Sequence, residues 1–259
     1  MASHPPVPDD AGLKLDVDGA VATITLNRPE RRNAMSPSLW HGLAAIGDTL
    51  PGTTRVVVLR GEGPSFSAGI DLRLFTDGLP GESLTSPADP GFEAAVASYQ
   101  AGYLWLRRPD IISIAAVHGY AIGGGFQLAL ACDLRVVADD AVFCMKEPAL
   151  GLVPDLTGTK PLVDLVGLPR ALEICLTARN IPAAEARELG LAERVVAAGE
   201  LDATVAELAA ALCTPAADTA RATKELLLGA SGRTLEAQSA AEIAIQARLQ
   251  RSRGPDASW

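Results

Sequence analysis

Two glycine-bearing segments constrain this chain most, because each follows an apolar, strand-like run. They are residues 65–72, SFSAGIDL, and residues 118–128, HGYAIGGGFQL. Glycine leaves room for a reacting oxygen to approach a backbone N–H and gives the chain the φ freedom that a tight turn needs. Glycines 123–125 also open a helix-like run, so free amides and the helix dipole would face bound negative charge. The pattern predicts a site for a developing oxyanion, such as an enolate, or for a phosphate.

Several further motifs occur in a fixed order along the chain. Residues 26–35, LNRPERRNAM, and residues 150–159, LGLVPDLTGT, flank the two glycine segments. Together these segments resemble the signature motifs, first substrate loop and catalytic loop of the crotonase (enoyl-CoA hydratase/isomerase) superfamily. The resemblance covers roughly residues 13–249. It implies an α/β fold, a crotonase-like spiral of ββα turns with an α-helical C-terminal oligomerisation region that packs into homotrimers, often paired as hexamers.

Composition agrees with such an enzyme. The 259 residues are 48% hydrophobic, enough to bury a sizeable core. The formal charge of −9 argues against a general nucleic-acid binder, since neutralising phosphates needs a basic surface. Four widely separated cysteines without a CxxC pair, and no recognisable secretory leader, predict reduced thiols in the cytoplasm. No cluster of side chains has metal-ligand spacing, so no metal is expected.

One uncharged stretch, residues 111–132, is long enough to span a bilayer. Its glycines make a poor continuous helix, and Asp110 and Asp133 bound it. We therefore predict a buried strand, a glycine turn and a buried helix, and no membrane partner.

The pattern along the chain favours alternating strands and helices followed by helices alone. Ser36 and Pro37 predict an N-cap and a first-turn proline of a helix. The predicted domains are a flexible leader over residues 1–12, a spiral core with the acyl-CoA site over 13–200, and a helical region over 201–259. Within these, the sequence predicts a hairpin over 13–26, strands at 55–59, 111–117 and 134–137, and helices over 201–212, 216–228 and 234–249. The glycine- and proline-rich stretch between Phe75 and Phe92 fits either a mobile flap beside the acyl chain or an idle surface loop.

The chemistry implied by the resemblance is removal of a proton beside an acyl thioester. This step builds charge on the thioester oxygen, and one donor aimed at such an oxygen contributes roughly 3 to 4 kcal/mol. Matched residue by residue, the family's two oxyanion-hole donors fall on the backbone amides of Ile70 and Gly124. The alternative is that both turns serve packing alone.

Three side chains, Gln127, Glu147 and Asp155, are the catalytic candidates. Hydratases of this family use two glutamates, and Gln127 and Glu147 occupy those positions here. Glutamine cannot exchange a proton near neutral pH, which puts efficient hydration in doubt. Asp155 offers a second carboxylate. Spacing alone does not bring Asp155 to Glu147, whereas resemblance to the dienoyl-CoA isomerase branch does, although that branch has aspartate at the position of Gln127.

These residues favour double-bond isomerisation of an enoyl- or dienoyl-CoA, with Glu147 and Asp155 moving the proton. There are two alternatives. One is an enoyl-CoA hydratase that relies on Glu147, and the other is a non-catalytic acyl-CoA-binding or RNA-associated family member.

Substrate binding is assigned by the same resemblance. The acyl-CoA thioester would be held by Ala68, Asp71, Leu72 and Arg73 of the first glycine turn, mostly through backbone groups. Arg31 and Arg32 could face the phosphates, although both fit solvated surface charges equally well. No separate cofactor is expected because coenzyme A is part of the substrate. His118 is expected to be packed or hydrogen-bonded rather than a base.

Overall fold

The computed structural model describes residues 11–76 and 83–253. The predicted leader therefore lies outside the described residues, except for Ala11 and Gly12. The elements are β1 (Leu13–Asp18), β2 (Val21–Leu26), α1 (Pro37–Thr49), β3 (Val56–Gly61), α2 (Phe92–Leu104), β4 (Ile112–Val117), β5 (Tyr120–Ile122), α3 (Gly124–Ala131), β6 (Leu134–Ala138), β7 (Val142–Cys144), α4 (Thr159–Val166), α5 (Leu168–Thr177), β8 (Ile181–Pro182), α6 (Ala183–Glu188), β9 (Arg194–Val196), α7 (Leu201–Cys213), α8 (Ala217–Ala230) and α9 (Leu235–Arg253).

Two sheets organise these elements. The larger has the order β1-β2-β3-β4-β6-β9, and the smaller has the order β5-β7-β8. Only the β1–β2 hairpin is antiparallel in the larger sheet, and every later neighbour is parallel. β3 and β4 are buried on both faces, as expected for parallel strands that are covered on both sides. The predicted α/β fold and its strands at 55–59, 111–117 and 134–137 are confirmed.

The uncharged stretch at residues 111–132 folds as predicted. It supplies β4, β5 and α3, with a turn at Gly119 between the strands and Gly123 at the start of the helix. Over residues 11–76 and 83–253, no helix is long and apolar enough to cross a bilayer.

Helices cover the two faces of the larger sheet differently. The main core lies on the side of α1, α2 and α3, and a smaller core lies under α7. In that smaller core, Leu201, Val205 and Ala209 of α7 pack with Val56, Ile114 and Val136 of the sheet. The three predicted C-terminal helices are confirmed as α7, α8 and α9.

A buried lysine joins α8 to the sheet. Lys224 Nζ donates hydrogen bonds to Asp133 Oδ2 at 2.6 Å and to the carbonyl oxygen of Ile111 at 2.7 Å. Burial lowers the pKa of Lys224, and the Asp133 carboxylate opposes that shift. These bonds thus fix α8 against the residues that directly precede β4 and β6.

One detail of α1 differs from expectation. The helix begins at Pro37, as predicted, but the side chain of Ser36 makes no capping hydrogen bond. Ser36 Oγ is buried and has no partner among the described residues. The backbone of Ser36 is extended, so the position is that of an N-cap although its hydroxyl does not cap the helix.

Candidate active site

Backbone hydrogen bonds join the two glycine segments. Ser67 N donates to Tyr120 O at 2.8 Å, and Ile122 N donates to Ser67 O at 3.0 Å. These two bonds form an isolated parallel bridge between Ser67 and Ala121, just before the candidate donor residues Ile70 and Gly124. The turns that follow β3 and β5 therefore meet at one edge of the sheets, the place where ligands bind in many α/β folds.

The direction of the Ile70 amide follows from its neighbours. Gly69 O accepts a hydrogen bond from Met35 N at 2.7 Å, and Asp71 N donates to Met35 O at 2.9 Å. Gly69 O and the N–H of Ile70 belong to one trans peptide group, in which the C=O and the N–H point in opposite directions. Because Gly69 O faces Met35, the N–H of Ile70 is directed to the opposite side. That side is a cavity of about 940 Å³, which Ile70 lines.

Gly69 lets the two turns approach closely. It has φ +83°, and a Cβ atom there would lie 2.5 Å from Ile122 O and 3.6 Å from Gly124 N. Gly124 is the first residue of α3, so its amide has no acceptor within the helix. Among the described residues, neither the Ile70 nor the Gly124 amide donates to a protein group, and both residues line the cavity. The structure brings the two predicted donors together; their catalytic role stays a prediction.

Glu147 reaches the same cavity from the neighbouring strand. β5 and β7 are parallel, with Ile122 opposite Cys144, and Gly123 N donates to Cys144 O at 2.7 Å. Glu147 begins a short 3-10 turn beyond β7 and is 8% exposed. Gly123 makes room for it, since a Cβ atom there would lie 3.1 Å from Glu147 Oε1.

Gln127 connects Glu147 to the loop that follows it. Its Nε2 donates to Glu147 Oε1 at 2.6 Å, and its Oε1 accepts from Leu156 N at 2.9 Å and from Gly158 N at 3.1 Å. Only the amide oxygen can accept from two backbone N–H groups, so the nitrogen must face Glu147. Gln127 is fully buried and is not part of the cavity wall. Its contacts are those of a positioning residue.

The two carboxyl oxygens of Glu147 differ in their hydrogen bonding. Glu147 Oε2 has no hydrogen-bond partner among the described residues. Desolvation by burial raises the pKa of Glu147; the hydrogen bond from Gln127 opposes this shift, and the Asp155 carboxylate adds to it. A carboxyl group with a raised pKa and one unoccupied oxygen is suited to taking up a proton.

Asp155 lines the cavity beside Glu147. Desolvation also raises its pKa, although the residue is exposed. Gln100 of α2 holds this part of the loop, since its Nε2 donates to Asp155 O at 2.6 Å. The two carboxyl groups therefore line one cavity, and the charge of Asp155 acts on Glu147; their roles stay predictions.

The predicted substrate-binding residues divide into two groups. Ala68 and Leu72 line the cavity. Asp71 and Arg73 do not, because they pair with each other: Arg73 Nη2 and Nε lie 2.6 and 3.0 Å from the Asp71 carboxylate oxygens. The hydrogen bond from Arg73 lowers the pKa of Asp71, and Arg28 lies 3.6 Å from the same carboxylate.

Arg31 and Arg32 are exposed and lie outside the cavity wall. The guanidinium of Arg32 lies over the Tyr120 ring, 5.8 Å from its centroid. His118 Nε2 is 2.8 Å from Gly63 O, consistent with a hydrogen-bonded histidine. These contacts leave a phosphate-binding role for the two arginines as a prediction.

Sequence analysis missed α2, which forms a wall of the cavity. Phe92, Val96 and Tyr99 all line it, and Tyr103 follows one turn later with its hydroxyl 3.4 Å from Gly124 O. Their spacing of four, three and four residues is the helical signal that could have identified this wall. Trp40 of α1 lies against Tyr99, with ring centroids 4.7 Å apart.

The stretch between Phe75 and Phe92 partly borders the same cavity. Residues 84–87 line it, whereas residues 77–82 of the predicted flap lie outside the described residues. Within the described chain, no group of three or more histidine, cysteine or acidic side chains could hold a metal ion. All four cysteines are free thiols.

Comparison with known proteins accords with this site. The enoyl-CoA hydratase/isomerase family model matches residues 16–256. A protein of Thermobifida fusca YX assigned as an enoyl-CoA hydratase, solved in complex with CoA, is 57% identical with a TM-score of 0.92, and the match covers 97% of this chain and 98% of that one. A structure from the same organism with the same assignment, solved with acetoacetyl-CoA, is 59% identical with a TM-score of 0.90 over 93% of this chain and 96% of that one.

More distant relatives carry both activities in their names. An enoyl-CoA hydratase structure from Bacillus anthracis is 30% identical over 91% of this chain and 89% of that one, with a TM-score of 0.81. The peroxisomal Delta(3,5)-Delta(2,4)-dienoyl-CoA isomerase of Arabidopsis thaliana is 33% identical over 76% of this chain and 73% of its own length. The dienoyl-CoA isomerase branch is therefore a distant relative. The chain belongs to the enoyl-CoA hydratase/isomerase family, the crotonase superfamily.

Proposed function

We propose that this family member is an enzyme that stabilises the enolate of an acyl-CoA thioester and moves a carbon–carbon double bond. The observation that carries the proposal is the position of two unpaired amides and two carboxyl groups around one cavity. The thioester oxygen would lie between the amides of Ile70 and Gly124, which donate to it as negative charge develops. The Thermobifida fusca structures support a CoA thioester as the ligand, because one was solved with CoA and another with acetoacetyl-CoA.

In the proposed reaction, one carboxylate removes a proton from the enoyl chain, and the electron pair of that C–H bond moves into the conjugated enolate. Glu147 Oε2 is the favoured base because Oε1 already accepts a hydrogen bond from Gln127. The proton is then delivered to a different carbon by Glu147 or by Asp155, and the enolate collapses to the shifted double bond. The substrate gains and loses one proton, so no water is consumed.

Hydration of a 2-enoyl-CoA is the second candidate function. The names of the Thermobifida fusca and Bacillus anthracis relatives favour it. It would require Glu147 both to activate water and to return the proton. Gln127 already makes three hydrogen bonds, and its amide cannot carry a proton.

Incubation with 2-enoyl-, 3-enoyl- and 3,5-dienoyl-CoA in isotopically labelled water tests the proposal. Isomerisation gives a shifted double bond without oxygen from water, whereas oxygen incorporation without bond migration would refute it in favour of hydration. Glu147→Gln should abolish turnover and Asp155→Asn should reduce it. Glu188→Gln is the matched control, because Glu188 is an exposed carboxylate that does not line the cavity.

We also propose self-association through the helical C-terminal region, as the family resemblance implies. α8 and α9 expose large apolar side chains: Leu227 is 69%, Leu235 82% and Ile243 70% exposed. Apolar surface of this kind is typical of an interface. Light scattering coupled to gel filtration should give the mass of a trimer or hexamer, and a monomer would contradict the proposal.

A further inference from the structure

We infer that the acyl group of the substrate is an extended, apolar chain of medium length that lies along α2. This inference rests on the proposed function of the cavity as an acyl-CoA site. It concerns the part of the cavity remote from the two amides, which that function leaves unassigned.

One face of α2 sets the direction of the cavity. Phe92, Val96 and Tyr99 lie on this face and line the cavity, and Tyr103 lies on it at the end next to Gly124. The cavity therefore runs from the candidate donor at Gly124 towards the first residue of the helix. The α2 residues that line the cavity run from Gln100 to Phe92, and over this span an α-helix rises about 12 Å.

This length can be converted into a number of carbon atoms. An extended polypeptide advances at most about 3.6 Å for three backbone bonds, or about 1.2 Å per bond. A chain that follows the lined part of α2 as far as Phe92 would therefore need roughly ten bonds. An acyl group of about eight to twelve carbons would use most of this wall.

The chemistry of the walls favours a hydrocarbon. The carboxylates of Glu147 and Asp155 belong to the segment near the donors, whereas the α2 wall presents Phe92, Val96 and Tyr99. Glu93, the acidic residue of α2 at the cavity, is exposed. The volume of about 940 Å³ is near the upper end of the range for ligand pockets. A two- to four-carbon acyl group would leave most of this apolar surface without a partner.

Binding of saturated acyl-CoAs, from four to twelve carbons, tests the inference without requiring turnover. Each added methylene should tighten binding about fourfold until the α2 wall is covered, and affinity should then level off. The same trend is expected in kcat/KM of the matching enoyl-CoAs. Equal affinity along the series, or affinity that falls with length, would overturn the inference.

Two substitutions on α2 localise the effect. Val96→Trp should block the channel and weaken binding of a ten-carbon acyl-CoA at least tenfold, while a four-carbon acyl-CoA binds as before. Ala94→Trp is the control, because Ala94 is exposed and lies outside the cavity wall. If both variants behave alike, the chain does not follow α2. The two proposals fail separately: a flat binding series refutes only this inference, and absence of turnover with every enoyl-CoA refutes only the proposed reaction.

Discussion

Gln127 permits a sharp test because its two ends make different contacts. Gln127→Glu keeps an oxygen for the N–H groups of Leu156 and Gly158 but places a second carboxyl oxygen where Nε2 lies 2.6 Å from Glu147 Oε1. Gln127→Met keeps the length of the side chain and removes all three hydrogen bonds. Comparing the two variants separates anchoring of the loop from control of Glu147.

The expected magnitudes follow from these contacts. Two neutral hydrogen bonds at about 1 kcal/mol each and one to a charged group at about 2 kcal/mol give a loss of about 4 kcal/mol in the free energy of unfolding for Gln127→Met. Gln127→Glu should cost about 1 to 2 kcal/mol at mildly acidic pH, where the two carboxyls share a proton. The folded pair binds that proton more tightly than the unfolded chain does, so the cost grows as pH rises.

Urea unfolding at pH 5.5 and pH 8 measures both effects, and the pH dependence of kcat gives a second measurement. In Gln127→Glu the acidic limb of the kcat profile should move to higher pH, because the shared proton must leave before Glu147 can act as a base. If Gln127→Met is as stable as the wild type, or if Gln127→Glu costs the same at both pH values, the proposed positioning role is refuted.

Three further substitutions test other parts of the structure. Glu147→Gln should raise Tm at pH 7, because burial raises the pKa of Glu147 and its ionised form opposes folding. The gain should vanish below about pH 4, where the carboxyl is protonated in both the folded and the unfolded chain. An unchanged Tm at pH 7 would contradict this account. Gly69→Ala should lower the free energy of unfolding by about 3 kcal/mol and abolish turnover. In the control Gly52→Ala, where a Cβ atom meets open space, the free energy of unfolding measured by chemical denaturation should change by less than about 1 kcal/mol. Equal effects would show that a Cβ atom does not strain the turn at Gly69. Lys224→Met should cost about 3 kcal/mol in the free energy of unfolding by leaving Asp133 without its cation, with kcat unchanged, and a wild-type unfolding midpoint would refute the importance of this ion pair.

Sequence reasoning was most successful where the signal is local. The glycine turns, the buried strands and the last three helices all depend on spacing within about a dozen residues, and each is confirmed. The contact between Gln127 and Glu147 could not be found this way, because it depends on the parallel register of β5 and β7. The same limit applies to the carboxylates of Glu147 and Asp155, which only the family resemblance placed together.

Other differences have specific causes. α2 escaped notice because alanines separate its apolar residues and a glycine- and proline-rich stretch precedes it. Asp71 and Arg73, two residues apart, could have been recognised as a local ion pair, and their charges satisfy each other instead of facing the cavity. Ser36 is the exception: it has the residue type and backbone of an N-cap, but its buried hydroxyl makes no capping bond, and the structure gives no reason for this.

The bridge between Ser67 and Ala121 has a consequence for how this enzyme family can diversify. The candidate donors are main-chain groups held by other main-chain groups, so most side chains near them can be exchanged without redirecting them. The α2 wall, in contrast, is built from side chains. Under the proposed function, new acyl preferences would therefore arise by substitutions on one helix while the proposed proton chemistry is kept, and mutant libraries confined to α2 are the direct test of altered substrate range.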